Sequence, residues 1–180
     1  MKNALFILGY LDDSDIDWIK RSGTLVQYEE LSRLITARER ITEIFLLLSG
    51  ELSIRPGHNE REEVARIYPG EFIGELSFLD TRPPTESVVT ATHVALVALD
   101  RAELNRKIRT DIAFAARFYR ALGVLLTSRF RQTMGQLTLR PDDELEEDDL
   151  AADELDPDLL DRIAIAGHRF DMLLQHFLGK

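Results

Sequence analysis

The sequence predicts an α+β chain, mainly β, in which an antiparallel β-roll of jelly-roll type is flanked by N-terminal helices and a long C-terminal helix. Three observations carry this expectation. From Thr24 to Leu99 the apolar residues come in short runs broken by Gly and Pro turns, the texture of successive strands rather than of alternating strand-helix units. After Asp100 the apolar period lengthens to that of a helix. The 180 residues, 44% of them apolar, suffice for one domain with a real core and an appendage, and would crowd two.

Taken in order, residues 1–23 read as a folded helical start. Ala4 to Leu11 is apolar but short, lacks a small-residue cleavage site and runs into Asp12, Asp13, Asp15 and Asp17, so it is no signal peptide. Asp13 or Ser14 caps a helix through Ile16, Trp18 and Ile19 that ends near Gly23. Residues 24–109 hold the roll, with strands expected at Leu25 to Tyr28, Leu34 to Thr36, Ile44 to Leu48, Leu52 to Ile54, Val64 to Tyr68, Val88 to Ala91 and Val94 to Leu99. Gly50, Pro56-Gly57 and Pro69-Gly70 fall at the turns.

Asp100 caps a short helix over Ala102 to Lys107, and a longer one follows over residues 110–137. On it Ile112, Ala115, Tyr119, Leu122, Leu126, Phe130 and Met134 form one apolar stripe, broadened by Phe114, Phe118 and Leu125. At ~1.5 Å per residue such a helix reaches ~40 Å, more than so small a roll covers. Either part of the stripe, from Ile112 to Phe130, forms a homodimer interface, or the helix folds back entirely on its own roll.

Residues 138–158 read as an acidic linker, and residues 159–178 as an amphipathic helix striped by Leu159, Ile163, Ala166, Phe170, Leu173 and Phe177. That helix either packs at home, on its own chain or across a dimer, or docks a protein partner.

Charge narrows the function. Residues 1–140 carry 19 acidic and 19 basic side chains, whereas 141–180 carry 13 and 3, so the net charge of -10 sits in the last 40 residues. A neutral body with an acidic tail lacks the basic footprint of a nucleic-acid binder. No uncharged stretch approaches the ~18 to 20 apolar residues that span a bilayer, which argues against membrane insertion. The absence of cysteine removes disulfides and thiol chemistry and suits a reducing cytoplasm. His58, His93, His168 and His176 show no metal-ligand spacing, and no nucleophile elbow or P-loop appears. Neither an enzyme, nor a metal, nor a cofactor is expected.

The informative run is Pro69 to Leu79. Gly74 permits close backbone approach, and Glu75-Leu76-Ser77 opens a short helical turn whose free N–H groups favour a phosphate. A carboxylate in the same turn accepts bonds from ribose hydroxyls, so the pairing suits a nucleotide.

With Leu46-Leu47-Leu48-Ser49-Gly50-Glu51-Leu52 upstream, Phe72 to Val89 in the middle and a long helix downstream, residues 10–135 resemble the cyclic nucleotide-binding domain of the catabolite activator protein, of kinase regulatory subunits and of gated channels. The resemblance implies a phosphate-binding cassette with Gly74, Glu75, Leu76 and Ser77 at its start. About ten residues on, the family usually carries Pro-Arg, small residues and a Thr or Ser, its Arg pairing with the cyclic phosphate. Here the run reads Arg82-Pro83-Pro84-Thr85-Glu86-Ser87, so Pro84 holds the Arg position and Glu86 a small one. Loss of that charge-assisted contact costs about 1.5 to 3 kcal/mol.

Arg82 lies two residues away and is the candidate substitute, with Thr85 and Ser87 completing a variant site for a cyclic nucleotide or cyclic dinucleotide. Arg38 stands where the family usually has Gly in an early turn, and a rebuilt turn is expected there. The catabolite-activator relatives carry a winged helix-turn-helix after the long helix, and the 43 residues after Leu137, 13 of them acidic, do not fit one. The resemblance therefore implies a stand-alone, non-enzymatic sensor that signals through protein contacts. The alternative is a degenerate, non-binding roll acting as an adaptor through its acidic tail and last helix.

Overall fold

The computed structural model describes residues 6–59, 61–138 and 157–179. Apart from residue 138 and its last two residues, the expected acidic linker lies outside them.

The chain enters through two short helices, α1 (Phe6–Tyr10) and α2 (Asp13–Ser22). Asp12 stops one and starts the other. Its carboxylate accepts the Asp15 amide at 3.0 Å, while the Asp15 carboxylate accepts the Asp12 amide at 2.9 Å, a reciprocal capping box.

Eight strands then form two antiparallel sheets. In the first, β1 (Thr24–Tyr28) pairs with β8 (Val94–Asp100), β8 with β3 (Glu43–Ser49), and β3 with β6 (Phe72–Ile73). In the second the order is β2 (Arg33–Ile35), β7 (Glu86–Thr90), β4 (Leu52–Pro56) and β5 (Ala65–Ile67).

The continuous apolar run of β3 is explained by its two buried faces. Ile44, Leu46 and Leu48 join a core beneath the helices, whereas Phe45 and Leu47 point into the roll. On β8, Val97 and Leu99 face the helices and Val94, Leu96 and Ala98 the interior, in register with β3 through Leu46↔Val97 and Leu47↔Leu96. Two cores thus share one sheet.

In the chain α3 (Glu75–Asp80) joins β6 to β7, and after β8 come α4 (Arg101–Thr110), α5 (Ile112–Thr138) and α6 (Pro157–Leu178). The Asp100 side chain caps α4 through the Glu103 amide at 2.9 Å, as its sequence position implies. Asp111 then breaks the line, leaving helical geometry and accepting the Phe114 amide at 2.9 Å to restart the chain as α5.

Three expectations need correction. Helix outweighs strand, so the fold is α+β but not mainly β. β6 is not among the expected strands, being too short to show a period. Arg38 does not rebuild its turn: it takes the left-handed conformation at φ +68°, and its amide donates to the Pro84 carbonyl at 2.7 Å.

On α5 the inward face is Phe114, Phe118, Ala121, Leu122 and Leu125, all buried in the core beneath the helices. Leu122 therefore belongs to this chain's own core. A second apolar line, about a third of a turn away at 3.6 residues per turn, stays exposed: Ile112 at 82%, Tyr119 at 45% and Phe130 at 66%. Ala115 and Leu126, between them, are half-buried.

The last helix packs at home. Ala166 and Leu173 are fully buried, and Phe170 and Phe177 pack beside them against α1 and α2. Arg169 donates to the carbonyls of Leu8, at 3.1 Å, and Leu11, and to the Asp13 carboxylate at 3.0 Å. It thereby satisfies the open end of α1. Tyr10 lies between two guanidinium groups, Arg162 of α6 at 4.6 Å and Arg120 of α5 at 5.2 Å.

Candidate ligand pocket

Where β6 leaves the first sheet, Gly74 takes φ +91° and starts α3. A side chain there would meet Ile41 Cδ1 at 2.9 Å and the Glu43 carbonyl at 3.2 Å, so both the conformation and the space demand glycine. The turn drops Glu75 and Ser77 inward, at 2% and 5% exposure, while Leu76 faces outward at 53%.

These residues edge a cavity of about 300 Å³ that opens between the sheets. Its floor is apolar, built from Ile35, Ile54, Ile67, Ile73 and Val88 of the inner core. Its rim carries Gly74 to Ser77 on one side and Arg82 to Glu86 on the other. A shallow apolar cup with a polar lip suits a flat ring system bearing a polar tail.

The predicted residues divide. Gly74, Glu75, Leu76, Ser77, Arg82 and Thr85 are brought together around the one cavity. Arg82 is exposed on the rim, its amide held by the Asp80 carboxylate at 3.0 Å. The Thr85 hydroxyl donates to Glu86 at 2.7 Å. Ser87 does not line the cavity: it is fully buried, and its hydroxyl accepts the Ala37 amide at 3.0 Å, tying β7 to the turn after β2.

A cation outside the expected set joins these residues. Arg129, on α5, lines the same cavity and donates to the Glu75 carboxylate, to Glu71 at 3.5 Å and to the Phe72 carbonyl at 3.3 Å. The pair is unequal in exposure, Glu75 at 3% and Arg129 at 28% of the side chain. Burial raises the Glu75 carboxyl above its usual range, and the Arg129 charge and hydrogen bond oppose that without cancelling it. A signal did exist: Arg129 stands four residues past Leu125 on the inward face, where an apolar residue would be ordinary.

The class of fold is thus a two-sheet roll closed by a short helix on a left-handed glycine, with a buried carboxylate and a guanidinium beside an apolar cavity. Residues 25–111 match the sequence model of the cyclic nucleotide-binding domain, and the chain carries a domain of that family.

Among solved structures, a cyclic nucleotide-binding domain from Methylobacillus flagellatus superposes with a TM-score of 0.67 at 20% identity, over 85% of this chain and 85% of that one. The catabolite activator protein of Thermus thermophilus gives 0.59 at 23% identity, over 71% of this chain and 59% of that one. The N-terminal domain of a transcriptional regulator from Streptomyces coelicolor gives 0.55 at 23%, over 73% and 91%. At these identities the likeness establishes the fold. Among the described residues no helix is long and apolar enough to cross a membrane.

Proposed function

We propose that this chain is a non-enzymatic regulatory module that binds a cyclic nucleotide or cyclic dinucleotide between its sheets and passes the signal on through protein contacts. The observation that carries the reading is the cavity itself. Its apolar floor receives a base, the Gly74 to Ser77 amides face a phosphate, and Glu75 accepts ribose hydroxyls. The missing family arginine at Pro84 makes the cassette a variant one. A chain without cysteine suits work in a reducing cytoplasm.

The signal leaves through α5, which touches the cavity at one end and the helical core at the other. Its exposed line of Ile112, Tyr119 and Phe130 supports a homodimer built along this helix.

Calorimetric titration of the full chain with cyclic AMP, cyclic GMP and cyclic dinucleotides tests the ligand. Saturable heat is expected, weakened ~10-fold or more in Glu75→Gln, since a charged acceptor contributes about 1.5 to 3 kcal/mol. No heat at high micromolar ligand, in protein shown to be folded, removes the sensor reading and leaves the adaptor. The adaptor reading is favoured by Pro84 and Glu86, and opposed by α6, whose Ala166, Phe170, Leu173 and Phe177 already pack in the core beside α1 and α2.

A further inference from the structure

An anion entering this cavity meets an awkward charge balance. Carboxylates of Glu75, Asp80 and Glu86 line it against two guanidinium groups, Arg82 and Arg129. Arg82 sits in solvent on the rim, where water and salt screen its charge. Arg129 is half-buried and aimed into the cup, where an interaction of the same length is worth several times more. That guanidinium is held by Glu75, with Glu71 and the Phe72 carbonyl beside it, and Glu75 is the residue with which the proposed ligand's ribose would bond.

Resting on the cyclic-nucleotide reading above, we propose that Arg129 is the anion-binding residue of this pocket, supplied by α5 in place of the guanidinium that Pro84 removes, and that its ion pair with Glu75 is exchanged for ligand on binding. The exchange balances. The Glu75 carboxylate trades a guanidinium donor for ribose O–H donors, and Arg129 trades a carboxylate for phosphate oxygens of the same charge and spacing. Neither buried charge is left without a partner, the outcome that would otherwise make opening a buried pair so costly. The planar fork of arginine serves both partners, which a lysine cannot do bidentately. Because the cation belongs to a helix rather than to the cassette, ligand contact acts on α5 directly.

The test is calorimetry with cyclic AMP and cyclic GMP on the full chain and on Arg129→Gln, Arg129→Lys, Pro84→Arg and the double variant Arg129→Gln with Pro84→Arg, each checked for native near-ultraviolet dichroism. Arg129→Gln is expected to raise Kd ~10- to 100-fold, the loss of one charge-assisted contact. Arg129→Lys keeps a cation opposite Glu75 and falls between, so it carries the measurement should the Gln variant not fold. Restoring a guanidinium at position 84 should bring the double variant back within a few-fold of the parent. That rescue separates an anion contact from a structural prop, and the Pro84 carbonyl that accepts the Arg38 amide survives the change. Binding by Arg129→Gln or Arg129→Lys equal to the parent's overturns the assignment while the ligand reading stands. Weakened binding without rescue overturns it too. Absence of saturable heat in the parent overturns both.

Discussion

Gly74 does two jobs at one Cα: it turns the backbone left-handed at φ +91° and leaves room for Ile41 beneath it. Gly74→Ala should destabilise the roll by about 1 to 3 kcal/mol, from the positive φ and the 2.9 Å clash together. Urea unfolding measures it, and a midpoint equal to the parent's would mean the turn relaxes freely. Arg38 shows the converse, a non-glycine residue in the same region held by a hydrogen bond across to Pro84. The turn at Gly74 is legible because Gly-Glu-Leu-Ser is a local signal that needs no partner. The position of Ser87 is not legible in the sequence, because it depends on an amide 50 residues away. Arg129 is hidden in the sequence for a similar reason, since its partner Glu75 lies 54 residues upstream and only the folded roll brings them together.

At the scale of elements, the strands were the most readable part. Each of the seven expected runs overlaps a strand, because two buried faces leave a continuous apolar signature on β3 and β8. The long helix was located correctly but its faces were merged. Phe114, Phe118 and Leu125, read as a mere broadening, are the inward face, and the line through Ile112 and Phe130 is the outward one. Where α6 would rest could not be read at all, because an amphipathic stripe says what it needs to cover and not with what.

The contact that settles it is tight: a Cβ on Gly9 would lie 2.8 Å from the Arg162 carbonyl and 3.5 Å from Ala166. Alanine in a helix is ordinarily better than glycine by about 1 kcal/mol. Here Gly9→Ala should instead destabilise by about 1 to 3 kcal/mol through overpacking, and speed hydrogen exchange in α6 before the roll. Uniform exchange throughout would show that α6 does not hang on this contact. Because α6 supplies Ala166 and Leu173 to the core, trimming the chain before it strips that core and is no neutral deletion.

For the whole molecule, the uneven charge and the exposed line on α5 bear on assembly. If the proposed homodimer forms along that helix, Phe130→Glu places a carboxylate in its apolar seam and should convert dimer to monomer by sedimentation, with the fold kept, since the ring is 66% exposed. An unchanged sedimentation coefficient would move the interface elsewhere. The class of fold was readable at this scale from texture and turn spacing alone, whereas the balance of helix to strand was not, because the last helix declares its length but not its weight in the core.

The seam between β1 and β8 carries a last implication. Thr24 lies opposite Ala98 and Tyr28 opposite Val94, so the first strand made waits for the last one. On a ribosome, the sheet cannot be zipped until residue 100 has cleared the exit tunnel, and pairings this remote in sequence close slowly once it has. A nascent chain arrested short of that point has β1 bare, its apolar side chains and unbonded peptide groups offered to any chaperone or neighbouring strand that arrives first.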